Sequence, residues 1–324
     1  MGLIDLELDM DAHYVLAFSG GVDSVVLLDQ LYMQGYSFSC VHVNHGISEW
    51  ADTWEEFCRE VSDGHYAKFY STKLDVDKKA SEAELRDLRY KYLREMVHVI
   101  ADEVDMTTYL LTAHHLDDQY ETSLMNFIRG NGAKSVAGIK EYTVIDGVTI
   151  IRPMLNKVTK KKILAFAYNN ELDCVTDKSN FGVDYTRNRL RNNVIPEIVQ
   201  IGSLQAMHNS AVATANHIST LETFMFASLC VPAGIYPFGN TQKWGAIKQV
   251  LDSAHNDYQM TILRIIIEKS CGVALNDMMI EEIIKVFFTV KPGKTKNEFE
   301  VAYATIAVKK HKQDGVIYIT FSAV

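Results

Sequence analysis

Apolar and polar positions repeat with two periods along the first half of the chain. Short β-rich runs bounded by polar residues stand at 14–18 (YVLAF), 38–43 (FSCVHV), 67–74 (AKFYSTKL) and 108–113 (TYLLTA), and their length and branched or aromatic content predict strands. Helical spacing fills the intervals at 24–33, 52–63, 82–102 and 117–129. In the third interval Leu85, Leu88, Tyr92, Met96 and Val99 recur at three- and four-residue steps, which predicts the face turned to the core. Strand and helix alternating at this spacing imply an α/β fold, a doubly wound and mainly parallel sheet. Ligands of such sheets bind beyond the carboxyl ends of the strands.

The second half carries a different pattern. Asp146-Gly147 between two short apolar runs predicts a hairpin over 142–151. A lysine-rich helix over roughly 156–170 follows. Long helices are predicted at 203–229, 243–253, 258–270 and 277–288, interrupted by VPAGIYPFGN (231–240); FEVAYATIAVKK and GVIYITF close the chain as a short β segment. The change of pattern near Pro196–Gly202 divides the chain into a first domain, 1–198, and a smaller, mostly helical second domain, 199–324.

Composition narrows the class. With 324 residues and 48% hydrophobic content, the chain can bury more than one core. No apolar run approaches the ~20 residues of a membrane span. The N-terminus is acidic rather than signal-like, and five cysteines without a CxxC pair fit a reducing compartment. A cytoplasmic protein with no membrane partner is the expectation. The net charge of −9 excludes a uniformly basic surface, but the charge is uneven. Residues 1–60 carry eleven acidic side chains and one basic one, and residues 151–200 carry nine basic and five acidic. That basic stretch can meet phosphates, although a solvated face explains it equally well.

The sharpest local signal is the stretch SGGVDS (19–24) between the first strand and the first helix. Gly20 and Gly21 permit positive φ and close approach of a phosphate, Ser19 and Ser24 add hydroxyls, and a helix start presents free amides. Asp23 repels phosphate unless a cation lies between them, so it is a candidate Mg²⁺ ligand. A tight turn with Asp23 or Ser24 as helix cap is the plainer alternative. Gly293-Lys294-Thr295 imitates the end of a Walker A motif, but Phe288 stands where that motif needs glycine. The tripeptide also follows a helix and precedes a strand, so it is taken as a turn.

SGGVDS after the first strand resembles the PP-loop of the N-type ATP pyrophosphatases. HVNHGISEWAD (42–52), EAELRDLRY (82–90), LLTAHHLDDQYETSLMNFIRGNG (110–132), IRPMLNKVTKKKI (151–163) and DKSNFGVDYTRNRLRNNVIP (177–196) resemble, in order, the blocks of tRNA(Ile)-lysidine synthases. The tail from LNDMMIEEIIKVFF resembles that family's second domain, so the resemblance spans nearly the whole chain and implies a short form without the additional C-terminal domain of longer members. It implies an enzyme that uses ATP and Mg²⁺ to adenylate the C2 oxygen of the wobble cytidine of tRNA(Ile) with a CAU anticodon, releasing pyrophosphate. Free lysine then displaces AMP to form lysidine. A homodimer is compatible with the resemblance.

The resemblance assigns roles as follows. Ser19, Gly20, Gly21, Val22, Asp23 and Ser24 hold the pyrophosphate, with Asp23 on Mg²⁺. Asn44, His45 and Gly46 lie beside the nucleotide, and Arg86 or Arg89 stabilises phosphoryl charge. His114, rather than His115, contacts the adenylate phosphate. The second step needs a neutral amine, and a free lysine with a pKa of about 10.4 costs ~4.6 kcal/mol to deprotonate at pH 7. Asp118 and Glu121, three apart on one helical face, suit that proton transfer or a shared metal role, with Asp118 beside Asp23 on the cation. Asp117 is a helix cap or a participant. Arg129, Arg187, Asn188 and Arg191 are the tRNA-binding candidates, since guanidinium forks suit phosphates and bases, with a C-capping arginine for Arg129 and a solvated helix face for the others as the plainer alternatives. Lys157, Lys160, Lys161 and Lys162 offer non-specific phosphate attraction.

Some positions depart from the family pattern: Leu85 replaces a small residue, Tyr120 an alanine, Thr176 a glutamate, and lysines an arginine after RPML. None removes a loop or charge from the nucleotide site. A tRNA thiolase is the alternative within the superfamily, but Cys40, Cys58, Cys174, Cys230 and Cys271 are scattered. A metal-dependent hydrolase built on His42, His45, His114, His115, Asp117 and Asp118 leaves SGGVDS without a role. Asp23, Asp118 and Glu121 are needless in a non-catalytic binding module.

Overall fold

The computed structural model describes residues 2–46, 48–74, 82–175, 185–231, 233, 235, 241–253, 256–271, 296–301, 304–313 and 316–323. The expected helix at 277–288, the Gly293-Lys294-Thr295 turn, Thr176 and the first part of the last arginine-bearing block lie outside the described residues. Two compact units are present, Met1–Ala215 and Asn216–Val324.

The first unit is built on a six-stranded sheet. Its strands are β1 (His13–Ala17), β2 (Ser37–Asn44), β3 (Lys68–Lys73), β4 (Thr108–Leu111), β5 (Tyr142–Ile145) and β6 (Val148–Ile151), in the order β3-β2-β1-β4-β6-β5. All neighbours are parallel except β5 and β6, which form the hairpin expected around Asp146-Gly147. Both turn residues have positive φ, 50° and 77°, as a two-residue turn matched to strand twist requires. β1 is buried from His13 to Leu16 and reads as a nearly continuous apolar run, the mark of a central parallel strand.

Successive β1 residues enter opposite cores. Leu16 joins α1 (Val22–Met33), α2 (Ala51–Gly64) and α6 (Lys160–Asn169) on one face, through Val25, Leu28, Cys58 and Phe166. Val15 joins α3 (Glu82–Val104) on the other face, through Leu93, Val97 and Ile100. The predicted face of α3 is therefore corrected. Leu88 and Val99 are exposed, and the buried stripe lies about one residue around the helix. Two apolar stripes overlap in this sequence at half-buried Tyr92 and Met96, and packing on the sheet selects the one containing Leu93. A third cluster joins α4 (Leu116–Ile128) to Leu190 and Leu204. Two short helices, α5 (Ala133–Val136) and α7 (Tyr185–Arg189), flank this region. A π-helical turn, Leu190–Val194, leads from α7 into α8 (Ile195–Ile201) and α9 (Leu204–Met225).

The second unit holds the end of α9, α10 (Trp244–Ser253) and α11 (Asn256–Cys271), with Ile247, Leu251, Leu263 and Ile266 fully buried. Its strands β7 (Thr241–Lys243), β8 (Lys296–Val301), β9 (Ala304–Gln313) and β10 (Val316–Ala323) make an antiparallel sheet ordered β7-β10-β9-β8. The short β segment expected at the end of the chain is thus part of a four-stranded sheet, whose β7 comes from before α10 and has no alternating run long enough to announce it.

Candidate active site

Strand order reverses between β1 and β4, so the crevice at their carboxyl ends is the place where this class of sheet binds ligands. The residues after β1, β2, β4 and β6 converge there. The loop after β1 is closed from behind. Gly20 has φ +75° and is buried, and a Cβ on it would meet Cys58 Sγ at 2.9 Å and Phe57 at 3.3 Å. Its carbonyl accepts a hydrogen bond from Val175 N at 2.9 Å. Only glycine fits. Gly21 differs from expectation: it takes the extended helix-cap conformation, φ −69° and ψ 154°, which any residue can adopt. Ser19 Oγ accepts from Gly21 N at 3.3 Å and lies 3.1 Å from Ser24 Oγ, which donates to the Gly21 carbonyl at 2.9 Å. The hydroxyls thus hold the shape of the turn. Val22 packs partly against the core below. No side chain caps α1, and its first amides stay open to an anion.

Three carboxylates approach this loop around one histidine. His115 is buried, with Nε2 3.6 Å from Asp23 Oδ1 and 3.5 Å from Asp118 Oδ2, and Nδ1 3.7 Å from Asp117 Oδ2. Asp118 accepts from His115 N at 2.9 Å. Asp117 caps a helix, but not its own: it accepts from Lys160 N at 2.7 Å, at the start of α6. The Lys160 ammonium then lies 2.6 and 2.7 Å from the two oxygens of Asp23. Lys160, expected to attract phosphate loosely, is instead tied into the site. Lys157 pairs with Glu7 at 2.5 Å, and Lys161 and Lys162 are exposed.

A basic group lines the crevice beside these acids. His114 receives or donates a 2.8 Å hydrogen bond with Thr112 Oγ1, and burial pushes its pKa down to about 4 against the attraction of Asp118, with Arg152, Arg86 and Arg89 lowering it further. Arg86 and Arg89 lie 5.3 and 5.7 Å from the Tyr90 ring. His45 is likewise held below its usual range by burial, then by Arg89 and His42. Arg152, which the sequence did not single out, is buried after β6 and donates to Lys140 O at 2.8 Å and Thr143 Oγ1 at 3.0 Å. An arginine directly behind a buried strand was the available signal.

Two expected contacts have other partners. Asn44 is buried, with its amide nitrogen 2.9 Å from both Asp52 and Glu55 and its oxygen accepting from Gly46 N at 2.8 Å. It fixes the turn after β2, where Gly46 has φ +66°, and has no donor left for a nucleotide. Glu121 is 1% exposed, and Arg191 engages both its oxygens at 2.6 and 2.9 Å, with Arg187 Nε at 3.5 Å. The Glu121 hydrogen bond raises the Arg191 pKa further. Its geometry is that of a holder for the arginine cluster rather than a free base beside Asp118. Asn188 is half-buried, and Arg129 stands exposed at the C-cap of α4.

The parallel sheet, the uncapped helix start behind Gly20 and the acid and basic groups around it define a nucleotide-binding α/β domain. The PP-loop domain model matches residues 5–198, and the chain belongs to that family. Among curated relatives, the tRNA(Ile)-lysidine synthase of Haemophilus ducreyi is 38% identical over 189 residues, covering 58% of this chain and 42% of that protein. The tRNA(Ile)-lysidine synthase of Shewanella woodyi is 30% identical over 318 residues, covering 95% of this chain and 65% of that protein. The chain thus spans less than two thirds of the length of these relatives. A solved U34-tRNA thiolase from Methanococcus maripaludis shares the fold, with a TM-score of 0.52 at 17% identity over 67% of this chain and 74% of that chain. No helix among the described residues is long and apolar enough to cross a membrane.

Proposed function

We propose that the chain is an ATP-dependent tRNA(Ile)-lysidine synthase acting in the cytoplasm. One observation carries the reading: the PP-loop and the HHLDD segment, ninety residues apart in sequence, meet at His115 Nε2, within 3.6 Å of both Asp23 and Asp118. That convergence brings a phosphate-binding turn and a carboxylate able to take a proton to one point, as adenylation followed by amine attack requires. The name shared by the two curated relatives supports tRNA(Ile) and lysine as substrates.

In this reading the α1 amides and Ser19–Ser24 hold the pyrophosphate of ATP. Arg86 and Arg89 approach the phosphoryl charge, and His114, neutral near pH 7, donates or accepts a hydrogen bond without adding charge. Asp23 and Asp118 fit a Mg²⁺ site. They are hard oxygen donors converging on one point, and among the described residues no third His, Cys, Asp or Glu completes a protein-only cage. The remaining ligands would come from phosphate and water, and a cation held there would offset charge on the departing pyrophosphate. Asp118 binds the lysine ammonium and takes its proton. Glu121 positions Arg191 and Arg187 for the tRNA, and the unit Asn216–Val324 supplies further tRNA contacts.

Two of the described thiols count against the thiolase alternative, while Cys174 is exposed. Cys40 and Cys58 are buried beneath the PP-loop, with burial pushing both up to about 12. The hydrolase alternative needs His42 as a ligand, yet its ring is buried in the core and stacked on Phe69, with centroids 6.4 Å apart. Incubation with ATP, Mg²⁺, labelled lysine and tRNA(Ile) bearing CAU tests the proposal. ATP-dependent label in the tRNA, with AMP and pyrophosphate released, is expected. Pyrophosphate release without label in any tRNA overturns it.

A further inference from the structure

We infer that Lys160 is the resident counter-ion of Asp23, a positioning residue that competes with a divalent cation for the PP-loop carboxylate. The inference rests on the proposed role of Asp23 as a Mg²⁺ ligand and concerns what holds that ligand before the cation arrives. Both oxygens of Asp23 face one ammonium, at 2.6 and 2.7 Å. The two side chains are about equally open to water, 34% and 32% exposed, so the pair is reachable by solutes.

The placement of Lys160 is built rather than incidental. Its backbone amide donates to Asp117 Oδ2 at 2.7 Å, and Thr159 caps α6 by accepting from Lys162 N at 3.4 Å. The start of α6 is therefore pinned to the start of α4, and the ammonium is delivered from a fixed helix end. Asp23 is also 3.6 Å from His115 Nε2, which stands equally close to Asp118. Lys160 thus supplies the nearest full positive charge at a point where carboxylates crowd together.

An ammonium that engages both oxygens of one carboxylate draws on the lone pairs a hydrated divalent cation would use and repels that cation, so each weakens the other's hold. With Lys160 in place, the loop attracts a bare cation more weakly than it would without it. A cation that arrives with nucleotide phosphates brings ligands of its own and can displace the ammonium. A displaced Nζ would stay beside the loop, because its backbone remains anchored by Asp117.

The test is Mn²⁺ binding to the full chain without nucleotide, followed by electron paramagnetic resonance. Lys160→Met is expected to bind Mn²⁺ roughly three- to tenfold more tightly than wild type, the range for a pair this open to water. Lys160→Arg, which keeps the ion pair, stays near wild type. Lys161→Met, an equal charge change on an exposed neighbour, shifts affinity less than about twofold. Equal or weaker binding by Lys160→Met, no detectable site in it, or an equal gain in Lys161→Met overturns the inference. Lys160→Gln serves as the second variant should the methionine fail to fold. Asp23→Asn separates the two levels. Unchanged Mn²⁺ binding in Asp23→Asn defeats the metal-ligand role itself, whereas loss there without a gain in Lys160→Met defeats only the competition.

Discussion

Replacing Gly20 with alanine tests the account of the PP-loop most directly. Gly20 sits at φ +75°, a conformation that costs an ordinary residue about 1–2 kcal/mol. The new methyl would also meet Cys58 Sγ at 2.9 Å, Phe57 at 3.3 Å and Val175 at 3.4 Å, in a packed interior where an added methyl costs about 1–3 kcal/mol. The stiffer unfolded chain returns ~0.4–1 kcal/mol. The net expectation is a loss of roughly 1–4.6 kcal/mol, or about 2–18 °C in the melting transition of the first unit. Gly21→Ala is the matched control. Its φ of −69° suits alanine, and only Ser19 Oγ approaches the added methyl, at 3.4 Å. That variant should lie within about 0.5 kcal/mol of wild type, as loss of a glycine cap and gain in chain stiffness oppose each other. Cys58→Ala removes the nearest clash and should make the Gly20→Ala penalty about 1 kcal/mol smaller in a double-mutant cycle. The measurement is thermal and urea unfolding followed by far-ultraviolet circular dichroism. Equal destabilisation by the two glycine variants would refute the reasoning.

Other outcomes follow from the same geometry. Glu121→Gln and Arg191→Met should each destabilise, and their double mutant should cost about 1–3 kcal/mol less than the sum; additivity in urea unfolding would show that the two side chains do not act as a pair. Asp118→Asn should abolish label transfer from lysine to tRNA while ATP still binds, and transfer at the wild-type rate would remove the role given to it. The folded-state pKa of His114, about 4, lies below its ordinary 6.5, so the unfolded chain binds more protons between those values. Stability should therefore fall as the pH drops from 6.5 towards 4, by up to ~1.4 kcal/mol per pH unit for this group. His114→Gln should flatten that slope in urea midpoints measured from pH 7 to 5; an unchanged slope would count against the burial of this ring as its cause.

Much of the architecture was legible in the order of short apolar runs, because each strand of a parallel sheet is buried on both faces and needs a helix to return the chain. Asp146-Gly147 announced its hairpin for a local reason, since few residue pairs tolerate two positive φ values. The site was legible as chemistry and less so as partnership. Glu121 sits three residues from Asp118 and reads as its companion, but Arg191, seventy positions on, claims both its oxygens. Asn44 looked like a ligand and is a post for the turn after β2. Lys160 lay hidden among four similar lysines, and only the fold sets it on Asp23. Tyr120, a departure from the family alanine, gains a 2.8 Å hydrogen bond to Gln205 on α9 and an edge contact with His208, neither visible without the packing of α4.

The distance in sequence between Asp23 and Lys160, 137 positions, also bears on how the protein is made. A ribosome adding ~5–20 residues per second leaves the glycine loop exposed for roughly 7–27 seconds before its counter-charge is synthesised. Until β4 is synthesised, at residues 108–111, β1 has only β2 to pair with, so the crevice has one wall. A nascent chain therefore carries the phosphate-binding turn long before it has Asp117, Asp118 and Lys160, which surround Asp23 in the finished site. Competence to bind nucleotide in an ordered way arrives late in synthesis, with the start of α6.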